Sequence, residues 1–209
     1  MKIETCYEDD EIRDDINFQL HYIVGGVRLS YNSNDKSDSD GSDSGRLIGT
    51  KDLKLLESLS KKGNGEDKFL RCIHLLLDIT APRYWWQQFD TYKIGVTTLS
   101  QSTMHTLKED VKNWEKHVSL SFLNFKFYKI IFDRIDTLFN LPSKLKDLET
   151  FQMIKSLLPE GWLQRRIVSL NYAVLKNIYK QRKNHKLPEW AQFCKFIETL
   201  PQSQLITNK

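Results

Sequence analysis

The chain has 209 residues, enough for one domain with a sizeable buried core, and its 40% hydrophobic and 11% aromatic content is that of a globular protein. No uncharged apolar run reaches the length that spans a bilayer, and residues 1–15 are too acidic for a secretory or mitochondrial presequence. Three widely spaced cysteines, Cys6, Cys72 and Cys194, exclude a disulfide framework and give no zinc-ligand spacing, so a soluble cytoplasmic protein with free thiols is expected. The net charge of +4 is unevenly spread: residues 8–15 and 35–43 are acidic, whereas the chain after Phe151 is rich in Lys and Arg. That asymmetry suits an anionic ligand near the C-terminal half, although a solvated basic face is the commoner origin of such a run.

Residues 1–30 alternate polar and apolar around Phe18, Leu20, Tyr22 and Val24, turn at Gly25-Gly26 and resume at Val27, which predicts a β-hairpin or two short strands. Residues 32–45 carry no apolar side chain and are expected to form a disordered acidic loop whose deletion is tolerated. They resemble a calcium loop but lack its terminal bidentate glutamate, and no metal site is assigned. A helix capped by Thr50 should run to Lys62 and close at Gly63, with Leu53, Leu56 and Leu59 inward. A second short helix over 66–74 then leads to a buried strand over 75–79.

Residues 82–105 have the composition of a site. Trp85, Phe89 and Tyr92 fall on one helical stripe and Tyr84 and Gln88 on its neighbour, and a hydroxyl-rich segment, Thr97, Thr98, Ser100, Ser102 and Thr103 with Gln101, offers donors for a polar ligand. The plain alternative is an aromatic core helix followed by a Ser/Thr-rich loop. Beyond it, helices are predicted to about His117, over 120–141 and over 143–157. Leu158-Pro159 should open the longest helix, with Leu163, Ile167, Leu170, Val174 and Ile178 inward and Asn171 and Arg182 on one side. A last helix is expected from Pro188 to about Thr199.

These residues bring the sequence close to a family. Pro82, Gln88 and the spacings of Leu158-Pro159, Asn171, Asn177 and Arg182 resemble the flavin-dependent thymidylate synthases, tetrameric enzymes that methylate dUMP with methylene-tetrahydrofolate, FAD and NADPH. The resemblance begins near Gly63 and covers most of the remaining chain. It implies an α+β fold, one domain over 1–209, and a homotetramer with shared sites. It also implies that Arg182 holds and polarises the uracil, that Gln88 binds the base, that Ser100, Gln101 and Ser102 hold the nucleotide phosphate, and that Lys155, in the place of a family arginine, binds substrate. Asn171 and Asn177 would then face a flavin, with Lys93 and His105 near it.

The pattern departs from the family at four places, among them the end of the first motif, where Ser100-Gln101-Ser102 with His105 stands for glutamate-x-serine-x-arginine displaced by about a residue, and Lys155, which replaces an arginine. Where the family has arginine-histidine-arginine, this chain has Thr91-Tyr92-Lys93, and Glu66 stands where it has a histidine. A lysine keeps charge but loses the bidentate fork, so the flavin-phosphate end is weakened on paper while the uracil end is kept. Two readings stay open: an enzyme acting on a uracil nucleotide, or a protein that keeps the pocket without redox chemistry and sequesters a nucleotide or inhibits a host partner, as a phage-type member would. Nucleic acid is a weak expectation, because the basic run at 180–186 lacks a reading motif and interleaved aromatics. Cys72 and His74 do not make a thiol–base pair, since a two-residue helical step points them apart.

Overall fold

A computed structural model describes residues 1–40, 47–119, 125–142 and 148–208. Four strands form one antiparallel sheet in the order β1-β2-β4-β3: β1 (Lys2–Thr5), β2 (His74–Pro82), β3 (Thr97–Ser100) and β4 (Leu163–Asn171). Its two long strands pair in opposite directions. The Tyr172 N–H donates to the Ile73 carbonyl at one end, and the Arg83 N–H to the Trp162 carbonyl at the other, both at 3.0 Å. With the helices around it, this gives the expected α+β class.

The chain divides into two compact units. The first comprises residues 1–2, 79–91 and 99–166. It contains α3 (Arg83–Phe89), α4 (Thr103–Asp110), a 3-10 turn at Val111–Lys116, α5 (Phe125–Phe139) and α6 (Leu148–Leu157). Its core joins Leu107, Val111, Trp114, Phe132, Ile135 and Trp162, with the Trp114 and Phe132 rings stacked at 5.0 Å. Gly161 permits a close approach there: a Cβ would meet the Tyr128 hydroxyl at 3.0 Å. The helix expected over 120–141 is α5 and that over 143–157 is α6; residues 120–124 and 143–147 lie outside the described residues.

The second unit comprises residues 3–78, 92–98 and 167–209. Its helices are α1 (Asp9–Leu29), α2 (Thr50–Lys62), α7 (Tyr172–Arg182), α8 (Pro188–Thr199) and α9 (Gln204–Thr207), with a 3-10 turn at Glu66–Cys72. The predicted N-terminal hairpin is instead α1, the longest described helix at 21 residues. The period decides it: Ile12, Ile16, Leu20 and Val24 recur every four residues and are buried, while Phe18 and Tyr22 of the supposed strand are 46% and 60% exposed. Glu11 supports the start by accepting the Glu8 N–H at 3.3 Å.

The helix expected from Leu158 is likewise corrected. Residues 163–171 are β4, and a helix begins only at Tyr172. Leu163, Ile167 and Leu170 fit a helical stripe on paper, but Val168 and Leu170 are the buried alternating pair facing the core, and β2 supplies the partner strand. The α2 helix has its expected bounds, though Gly49 rather than Thr50 is its N-cap and Leu53 is only half-buried. Gly63 ends it at φ +62°, a conformation suited to glycine. The short helix expected over 66–74 is the 3-10 turn, and His74 already belongs to β2. Pro188 opens α8 as expected.

Part of the acidic segment is anchored. Asp52 of α2 is fully buried and accepts from the Ser37 hydroxyl at 2.6 Å, the Ser39 hydroxyl at 2.5 Å and Arg28 Nε at 2.6 Å. Asp38 in turn accepts the Asp52 and Lys51 N–H groups at 3.0 and 2.9 Å, tying the segment to the first turn of α2. Deleting residues 32–45 would therefore strip the Asp52 carboxylate of its contacts with Ser37, Asp38 and Ser39, against the tolerance expected from composition. Residues 41–45 of that loop lie outside the described residues.

Candidate functional site

The first unit gathers several of the residues expected to hold a nucleotide phosphate. The Pro82-Arg83 step turns β2 into α3, whose Trp85, Trp86 and Phe89 are buried. Arg83 emerges at that turn and donates to the Leu158 carbonyl at 3.1 Å. Lys155, in the last turn of α6, donates to the Thr103 hydroxyl in the first turn of α4. Burial pushes the Lys155 ammonium below its ordinary pKa, and the positive charge of Arg83 pushes it the same way. Arg83 is paired with the Glu160 carboxylate at 3.5 Å, so Lys155 with the Thr103 hydroxyl is the part of this group suited to an anion.

Gln101 is less available than its sequence context suggested. Its amide donates to the Thr106 hydroxyl at 3.2 Å and to the Asp110 carboxylate at 3.3 Å, and its carbonyl accepts from Gln164 at 3.0 Å. It therefore braces α4 against β4. Ser102 is the N-cap residue of α4 and exposed; His105 is exposed in its first turn, and Ser100 ends β3, also exposed. Gln88 is half-buried in α3, and its carbonyl accepts from the Thr91 hydroxyl at 2.7 Å. Arg83 was missed by sequence reasoning. Its signal was a cation directly after a strand-ending proline, at the start of an aromatic helix.

In the second unit the central group is Arg182. Its guanidinium lies 4.7 Å from the centre of the Trp190 ring, and its Nε donates to the Tyr92 hydroxyl at 2.8 Å. The Tyr92 hydroxyl donates in turn to Gln181 at 3.1 Å, and the Gln181 amide to Asn177 Oδ1 at 2.8 Å. This relay fixes the plane of a half-exposed guanidinium at the end of α7. Tyr92 is nearly buried, so the middle position of the expected cationic triplet is a core residue.

Asn171 and Arg182 do not share a helix face as expected. Asn171 is the N-cap of α7, its Oδ1 accepting the Val174 N–H at 3.1 Å. Its amide packs on Gly95, where φ is +75° and a Cβ would stand 3.2 Å from Asn171 Nδ2. Asn177 and Lys93 are exposed. Glu66, in the position of the family histidine, lines an open groove between α1 and the turn at Glu66–Cys72.

No protein-family model matches the sequence, and no curated protein matches it. The fold, however, is that of the flavin-dependent thymidylate synthases. Two crystal structures of one such enzyme, ThyX from Helicobacter pylori with FAD and dUMP, match this chain with TM-scores of 0.70 and 0.69. In each case 17% of residues are identical, over 99% of this chain and 97% of the other. At that identity the likeness is one of fold.

The residues present can be tested against a flavin. A dinucleotide's pyrophosphate calls for convergent cations or N–H groups. At 91–93 this chain offers one exposed lysine, because Thr91 is neutral and Tyr92 is turned inward onto Arg182. That segment does not fit a pyrophosphate, and no chemical step is assigned to a flavin here.

Proposed function

We propose that this chain is a divergent flavin-dependent thymidylate synthase-like protein that binds a pyrimidine nucleotide of the dUMP kind, with Arg182 on the base. The observation that carries the reading is the Arg182 guanidinium, held in a fixed plane by Trp190 and Tyr92, in a fold whose solved examples contain dUMP. A planar cation of this kind suits the carbonyl edge of a uracil, where it stabilises negative charge on a carbonyl oxygen. Within the first unit taken by itself, Ser100 and Ser102 are assigned to a phosphate, Lys155 and Gln88 to further polar contacts with a nucleotide, and Gln101 acts through its brace on α4. If the parent reaction is kept, FAD, NADPH and methylene-tetrahydrofolate enter with it, and in the second unit the exposed Asn177 and Lys93 are the residues left for a flavin, since Asn171 is spent on the cap of α7.

A second reading, a nucleotide-binding protein without redox chemistry, is favoured by Tyr92. That residue replaces a cation of the family triplet and spends its hydroxyl on Arg182 and Gln181. Such a protein would sequester a nucleotide or engage a host partner.

Calorimetry with dUMP tests the nucleotide assignment. Arg182→Ala should weaken binding by roughly tenfold or more, the loss of a charge-assisted contact, and Arg182→Lys should restore only part of it. Equal dUMP affinity in wild type and Arg182→Ala would sink the assignment. A visible absorption spectrum of the purified protein then separates the two readings: flavin absorbance supports the enzyme, and a colourless protein that binds dUMP supports the binder.

A further inference from the structure

Five lysines converge on one cleft of the second unit, where one carboxylate among the described residues faces them. The cleft holds about 710 Å³ and is lined by Lys61 and Lys62 at the end of α2, by Lys176, Lys180 and Lys183 along α7, and by Asp67. Asp67 is already engaged, accepting from Lys176 Nζ at 2.9 Å, and the same ammonium donates to the Ser60 hydroxyl at 3.0 Å. Lys61, Lys62, Lys180 and Lys183 are exposed and form no ion pair among the described residues.

Helix dipoles explain a cation at each C-terminal end, but two such ends bring only about half a negative charge apiece, so the lysines remain in excess. Lys180, in the last turn of α7, and Lys183, its C-cap, stand three residues apart and repel one another unless an anion offsets them, Lys176 being already paired with Asp67. A concave wall focuses the resulting potential, and the volume is that of a nucleotide-sized site. Ammonium groups are point charges without a planar fork, so they suit a dense run of phosphate oxygens better than one oriented carboxylate.

We infer that this cleft is an oligophosphate site, taking two or three linked phosphates such as those of a nucleoside diphosphate or triphosphate. The inference stands apart from the role proposed for Arg182. The full chain is titrated with inorganic tripolyphosphate, ATP, monophosphate and a single-stranded oligonucleotide, and compared with a Lys61→Gln, Lys180→Gln, Lys183→Gln triple variant. Tripolyphosphate and ATP should bind more tightly than monophosphate, weaken steeply with salt, and lose roughly tenfold or more in the variant, whose melting should be unchanged. Should the triple variant melt early, Lys183→Gln alone should still weaken tripolyphosphate. No tripolyphosphate binding at millimolar concentration, or equal affinity in wild type and variant, overturns the site. An oligonucleotide that binds tighter than tripolyphosphate through the same lysines overturns it in favour of a nucleic-acid surface. Affinity for dUMP should be the same in the variant, so that failure here is distinct from failure of Arg182.

Discussion

Asp52 shows how much one buried carboxylate can hold. Burial alone would raise its pKa, but the Ser37 and Ser39 hydroxyls and the Arg28 guanidinium outweigh that and draw it down to about 2. A carboxylate whose folded pKa lies below its unfolded value adds stability above the unfolded value, near 3.8, and loses it as pH falls through the folded one. The contribution is on the order of 2 kcal/mol, and acid titration followed by circular dichroism should show it disappearing between about pH 4 and pH 2. Arg28→Ala leaves that charge buried with its main cation gone, and should cost about 3–5 kcal/mol in a denaturant melt. A loss below about 1 kcal/mol would mean that solvent reaches the carboxylate. The sequence carried a signal for this residue: Asp52 lies four residues before Leu56, on the inward stripe, where an acid needs a partner. Arg28 and Ser37 were not legible as that partner, because nothing local links them to α2.

At the scale of elements, what was legible depended on whether a pattern had one period or two. The α2 and α8 helices were readable because a glycine closes one and a proline opens the other. The α1 helix was missed because Leu20 and Val24 satisfy both a two-residue and a four-residue repeat, and Gly25-Gly26 looked like a turn. Those glycines now lie inside α1 with open space where a Cβ would stand. Gly26→Ala should therefore stabilise the protein by about 0.5–1 kcal/mol, seen as a higher melting temperature. Destabilisation would show that this surface is covered in solution. The spacing of Asn171, Asn177 and Arg182 was likewise readable, but their geometry was not, since a strand precedes Asn171. As the N-cap of α7, Asn171 should cost about 1 kcal/mol when changed to Ala and little when changed to Asp, by thermal denaturation. Tyr92 and Trp190, which fix Arg182, are remote in sequence, and no local pattern joins them.

For the whole molecule, α1 leaves Phe18, Tyr22 and Leu29 exposed, with Tyr31 just beyond it, more apolar surface on one element than an isolated helix face needs. We propose that self-association covers it, in keeping with the homotetramer that the family resemblance implies. Light scattering at micromolar concentration should give a multiple of 24.7 kDa, and a monomer would remove the proposal. The isolated bridge between Asp40 and Leu47 has a practical consequence. It pairs residue 40 with residue 47 next to the hydrogen bonds that Asp38 and Ser39 make with the first turn of α2. A peptide tag inserted beside Ser37 or Ser39 would dislodge partners of Asp52 and should lower the melting temperature. Those two serines and the Asp40–Leu47 bridge mark where the chain should not be interrupted.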